Sequence, residues 1–209
     1  MIKYQIIPSI IAHSQQELEE RISRLKKHSK YIHLDIMDGE FVEHTSIEFD
    51  FKLPRGVKAE AHLMLTSPTP WLIHNHKKIS CVIAHYKSET HMHDFIKLAK
   101  KYKLKVGVAI NPEVPAEAIT QYLKLIDKVH IMTVRPGNYG SPFLPETLNK
   151  IKYLRELNPK INIEVDGGIN PKTLKLCKRA GANQFVVGSY LQKSKNINSA
   201  WKELNNLIK

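Results

Sequence analysis

The chain has 209 residues, 42% hydrophobic and 25% charged, a globular composition that can bury a core without disulfides or structural metal. Lys and Arg number 32 against 20 Asp and Glu, and the net charge of +12 attracts anions in general: small-molecule sugar phosphates, nucleic acid or acidic partners. No apolar run approaches the ~18 residues of a membrane span, and the start Met1-Ile2-Lys3-Tyr4-Gln5 lacks a signal-peptide layout, so membrane and secreted classes are excluded in favour of a cytoplasmic protein with Cys81 and Cys177 reduced.

In chain order, a first strand is predicted from near Lys3, followed by Pro8-Ser9-Ile10-Ile11-Ala12. Ser14-Gln15-Gln16-Glu17 is a capping box that opens a helix with Leu18, Ile22 and Leu25 on one face. Further strands are predicted to begin near Tyr31, Lys58, Cys81, Lys105, Lys128, Ile161 and Gln184, at intervals of one strand, one helix and two turns. Runs such as Cys81-Val82-Ile83-Ala84 and Phe185-Val186-Val187 are apolar on both faces, as strands covered on both sides must be. Pro115 and Pro145 stand in predicted first helical turns, Asn170-Pro171 reads as a cap and first helical residue, and Gly181 as a helix stop.

Eight strands and eight helices in strict alternation point to a closed (β/α)8 TIM barrel of class α/β, with residues 1–209 forming a single domain. A doubly wound open sheet would carry a glycine fingerprint after its first strand, and none is present. Basic residues in 97–101, 150–155 and 172–179 lie at helical spacing and read as solvated faces. No nucleic-acid motif accompanies them, so nucleic acid is not an expected partner; homo-oligomerisation is left open.

In a parallel barrel, chemistry sits at the carboxyl ends of the strands. The polar residues expected there are Ser9, His33, Asp35, His62, His85, Asn111 and Asp166. His33 and Asp35 are two apart and share a face, while Ile32, Leu34 and Ile36 face the helices. Two imidazoles and two carboxylates make a mixed site for a divalent metal ion, with Zn, Fe, Co and Mn all compatible. His85 is a candidate partner for a metal-bound histidine. His74, His76, His91 and His93 fall on predicted helices and are not expected as ligands.

The blocks Pro8-Ser9-Ile10, Ile32-His33-Leu34-Asp35-Ile36-Met37-Asp38-Gly39 and Ala61-His62-Leu63-Met64 resemble ribulose-phosphate 3-epimerases. So do Val108-Ala109-Ile110-Asn111-Pro112, Ile131-Met132-Thr133-Val134-Arg135-Pro136-Gly137, Glu164-Val165-Asp166-Gly167-Gly168 and Gly188-Ser189. The resemblance implies a TIM barrel that interconverts ribulose 5-phosphate and xylulose 5-phosphate. It also implies metal ligands at His33, Asp35, His62 and Asp166, with Asp35 and Asp166 as the acid/base pair. Met37, Met64 and Met132 would line the cavity. Substrate contacts are expected from Ser9, His62, Gly137, Gly140, Asp166, Gly167, Gly168, Gly188 and Ser189. The glycine turns at 167–168 and 188 would take the phosphate, and loop 133–145 would close over the sugar.

The chain departs from the family pattern in that loop, where Tyr139 replaces a glycine and Ser141 the usual glutamine. These departures keep a hexulose-phosphate 3-epimerase in view, alongside a non-catalytic basic relative that binds sugar phosphate or nucleic acid. The decarboxylase/synthase branch of phosphate-binding barrels needs a lysine two residues beyond the first Asp, where this chain has Met37.

Overall fold

The computed structural model describes residues 2–136 and 141–209. In chain order its elements are β1 (Gln5–Ile10), α1 (Gln15–Leu25), β2 (Tyr31–Asp38), β3 (Thr45–Ser46), β4 (Lys58–Met64), α2 (Pro68–Asn75) and β5 (Cys81–His85). Then come α3 (Met92–Lys101), β6 (Lys105–Ile110), β7 (Lys128–Met132), α4 (Leu148–Leu157), β8 (Asn162–Asp166), α5 (Pro171–Ala180), β9 (Gln184–Val187), α6 (Ser189–Gln192) and α7 (Ile197–Ile208). Each strand from β4 to β9 pairs in parallel with its neighbours, and β1 pairs with both β2 and β9. The sheet therefore closes into an eight-stranded parallel barrel, with the two-residue β3 added antiparallel beside β2.

Six predicted strand starts coincide with the observed ones, and the other two differ by one or two residues (Gln5 and Asn162). Local signals hold the helices as expected. Ser14 accepts the amide of Glu17, whose carboxylate in turn accepts from His13 N. Asn170 forms a reciprocal capping box with Thr173, and Gly181 ends α5 with φ +115°.

Strict alternation of strand and helix fails at two connections. Between β2 and β4, residues 39–57 form no helix. Apolar residues there recur with period two, as Phe49, Phe51 and Leu53, which suits a strap without helical periodicity. Phe51 is buried and stacks on Trp71 of α2. After β6 the chain makes a 3₁₀ segment, Ala116–Tyr122, in which the buried residues Ala116, Ile119 and Tyr122 are three apart, the 3₁₀ period.

The main apolar core lies between strands and helices. Ile32, Leu34 and Ile36 of β2 belong to it, together with Leu18, Ile22, Leu72, Phe95, Leu154 and Leu174 from the helices. No helix among the described residues is long and apolar enough to cross a membrane.

Candidate functional site

Alternation along β2 that sends Ile32, Leu34 and Ile36 outward turns His33 and Asp35 into the barrel. The register between β2 and β4 sets Asp35 beside His62. Asp35 Oδ1 lies 3.3 Å from both His33 Nε2 and His62 Nδ1. Asp166, at the carboxyl end of β8, approaches the same two nitrogens at 3.8 and 3.6 Å. All four residues of the expected metal set thus meet at one point. His33 and His62 are fully buried, and the carboxylates reach the floor of a cleft above them.

Burial pushes the Asp35 carboxyl up, but the imidazoles of His33 and His62 beside it outweigh burial and leave Asp35 below the ordinary carboxylate range, against the opposing charge of Asp166. The same contest at Asp166 is won more decisively, through His130 and His62 beside it. In His85, burial and the neighbouring imidazoles hold the ring neutral. Its Nε2 lies 2.8 Å from His62 Nε2, so it does partner the other nitrogen of His62. The four histidines not expected as ligands are structural or exposed: His74 Nδ1 bonds Pro70 O, His76 stacks on Tyr102, His91 precedes α3 and His93 packs on Tyr122.

Ser9, Gly167, Gly168, Gly188 and Ser189 line the cleft, together with Met37, Met64 and Met132. Gly167 and Gly168 have φ of +111° and +63°. A Cβ on Gly167 would stand 2.3 Å from Val134 Cγ2, so glycine here also lets the β7 loop pack on the β8 turn. Thr133 ties the two together by donating to the carbonyls of Asp166 and Gly167. Gly137 and Gly140 lie outside the described residues.

Four side chains missed by the sequence reading complete the barrel interior: Glu60, Lys128, His130 and Glu164, each buried. Lys128 Nζ donates to Glu60 Oε2 at 2.5 Å and to Glu164 Oε2 at 2.6 Å. The other oxygens of these carboxylates meet His33 Nδ1 at 2.7 Å and His130 Nδ1 at 2.8 Å. Tyr31 adds a hydroxyl donor to Glu60. Burial opposes every charge here, yet the carboxylates hold Lys128 protonated, and the Lys128 charge with His33 keeps Glu60 ionised. The signal was available: Glu60 and His62, Lys128 and His130, and Glu164 and Asp166 are pairs two apart, like His33 and Asp35. His33 Nε2 and His130 Nε2, both buried, have no hydrogen-bond partner.

Comparison with known proteins places this geometry in a family. Residues 5–192 match the model of the ribulose-phosphate 3 epimerase family. The chain is 34% identical over 198 residues to ribulose-phosphate 3-epimerase of Schizosaccharomyces pombe, covering 90% of this chain and 87% of that one. It is 32% identical to the enzyme of the same name from Buchnera aphidicola, covering 100% and 97%. Among solved structures, a 3-hexulose-6-phosphate synthase superposes with TM-score 0.71 at 15% identity, over 98% of this chain and 100% of that one. That last likeness speaks for the barrel alone. The chain belongs to the ribulose-phosphate 3-epimerase family and is an isomerase.

Proposed function

We propose that the chain interconverts D-ribulose 5-phosphate and D-xylulose 5-phosphate by two-base proton transfer at carbon 3, with a divalent cation held by His33, Asp35, His62 and Asp166. The observation that carries this reading is the convergence of those four donors beneath a cleft bounded by glycine turns. The residues fit a cation: His33 presents a buried, unpartnered Nε2 to two carboxylates, an arrangement costly in the absence of a ligand. When bound, the cation supplies Lewis-acid stabilisation of negative charge developing on the substrate oxygens.

Asp35 and Asp166 come from β2 and β8, with β1 and β9 between them, and both face the cleft. One carboxylate takes the carbon-3 proton from its side, leaving the electron pair delocalised over the adjacent carbonyl as an enediolate. The other carboxyl then delivers a proton to the opposite face and is left ionised, ready to run the reverse reaction. Met37, Met64 and Met132 wall this chemistry with apolar, adaptable side chains. The backbone at Gly168 and Gly188 and the hydroxyl of Ser189 receive the phosphate at the rim, the usual place in such barrels. Buried free thiols at Cys81 and Cys177 are compatible with a reducing, cytoplasmic setting.

The test is an epimerase assay of metal-loaded protein on ribulose 5-phosphate beside a 2-ketohexose 6-phosphate. Turnover of the pentulose is expected to dominate. Inactivity on both substrates overturns the reading, and preference for the hexulose reassigns the sugar.

A further inference from the structure

We infer that His130 is an additional metal ligand, so that the cation site of this chain is built from three imidazoles and two carboxylates. This rests on the metal-dependent reading above and goes beyond the ligand set implied by the family motifs, none of which includes position 130.

Among the described residues, two groups of donor atoms lie mutually within 4.8 Å: His33 with Glu60 and Glu164, which Lys128 already neutralises, and His33, His62, His130 and Asp166 beneath the cleft. Asp35 stands outside the second group, although it is 3.3 Å from two of its members. Donors held about 2.1 Å from a common ion stand roughly 3–3.6 Å apart at neighbouring coordination positions. His130 Nε2 lies 3.5 Å from Asp166 Oδ2, and His62 Nδ1 lies 3.6 Å from the same oxygen. The spacing of His130 is therefore that of a co-ligand.

Its orientation is fixed from behind. Glu164 Oε1 meets His130 Nδ1 at 2.8 Å, as Glu60 Oε1 meets His33 Nδ1 at 2.7 Å, and one ammonium, Lys128, holds both carboxylates. A carboxylate on Nδ1 fixes that nitrogen as the donor and turns Nε2 into the site, the orientation a metal ligand needs. His130 Nε2 is buried and without a hydrogen-bond partner, like that of His33. The two rings are parallel within 12° with centroids 5.4 Å apart, so they face each other across the site from β2 and β7 on opposite walls of the barrel.

Zinc binding to the metal-free protein tests this. In wild-type protein labelled with ¹⁵N-histidine, two-bond nitrogen–proton spectra should show three imidazoles whose bare nitrogen moves on adding Zn²⁺, assigned to His33, His62 and His130. His130→Leu and the milder His130→Gln should lose one of the three signals. By chelator competition they should bind Zn²⁺ at least about 10–100-fold more weakly. A purely structural role would lower the melting temperature of the metal-free variant and leave zinc affinity unchanged. Two moving imidazoles in the wild type, or equal zinc affinity in a folded variant, overturns the assignment of His130 while the four-residue site stands. Absence of zinc binding by the wild type overturns both. The wild-type spectrum decides the matter even if neither variant folds.

Discussion

On β2, Ile32, Leu34 and Ile36 enter the apolar shell between barrel and helices, while His33 and Asp35 on the same strand enter the barrel. The shell is filled by aliphatic and aromatic side chains from every barrel strand and from the helices around them. The interior instead holds Lys128, Glu60, Glu164, His33, His62 and His130, with a small apolar cluster of Cys81, Ile83 and Ala109 alongside. Non-directional burial closes the barrel from outside, so the inside is free to carry charge. That charge is tolerated because every buried carboxylate has a cationic or imidazole partner. The division assigns stability to the shell and chemistry to the interior, and it can be probed by substitution.

The largest effect is expected at the interior carboxylates. Asp166→Asn should lower net epimerisation by about 10²–10⁴-fold, the range for a lost general acid/base. Asp35 should still exchange solvent deuterium into one epimer, and Asp35→Asn should label the other, with metal occupancy measured in parallel. Near-parent turnover by fully metallated Asp166→Asn protein contradicts the two-base assignment.

Next comes the point at which the interior itself becomes structural. Lys128→Met leaves Glu60 and Glu164 buried without their shared counter-charge, and should cost about 3–5 kcal/mol in denaturant unfolding. A change of less than about 1 kcal/mol would show that the interior contributes nothing beyond its chemistry. Leu34→Ala, whose side chain is wholly buried in the shell, should cost about 2–5 kcal/mol while leaving the Michaelis constant of the surviving folded enzyme unchanged. A shifted Michaelis constant there would couple the two regions.

Gly188→Val, at the rim, should raise the Michaelis constant by about tenfold, or ~1.4 kcal/mol, because a side chain would intrude on phosphate space. An unchanged constant moves the phosphate elsewhere. The smallest effect concerns Asp38, where β2 leaves the barrel. It accepts from the amides of Glu40, Phe41 and Thr66 and from the Thr66 hydroxyl. Burial raises its pKa, but these bonds outweigh burial and hold it below the ordinary aspartate value. A depressed folded value means that the stabilisation is complete above the unfolded value and is lost as pH falls through the folded one. The stability gap between wild type and Asp38→Asn, about 0.5–1.5 kcal/mol per bond weakened, should therefore shrink as the pH falls below about 4. A gap independent of pH between 3 and 6 would show that Asp38 acts through shape alone.

Much of this was legible in the sequence because its signals are local. Ser14, Asn170 and Gly181 act on backbone groups within a few residues, so their motifs mark helix ends wherever they occur. The His33/Asp35 pair was found because spacing by two defines a strand face and because its family motif is specific. The same spacing at Lys128/His130 went unread, since a lysine at the start of a strand ordinarily reaches solvent. Only the closed barrel shows that solvent is absent there, and that Glu60 and Glu164 wait on either side. The missing helix between β2 and β4 has a similar cause: the period-two spacing of Phe49, Phe51 and Leu53 has meaning only against α2 and the barrel rim.

The sequence by itself determined the eight strands, the inward and outward faces of β2 and four members of the polar cluster, because alternation and capping are properties of neighbouring residues. Tertiary structure alone decided which inward residues meet. Barrel closure and strand register bring Lys128 of β7 between carboxylates of β4 and β8, and set His130 opposite His33 across 97 positions of chain. Such long-range juxtaposition depends on the stagger of every intervening strand pair, a quantity that no local pattern encodes.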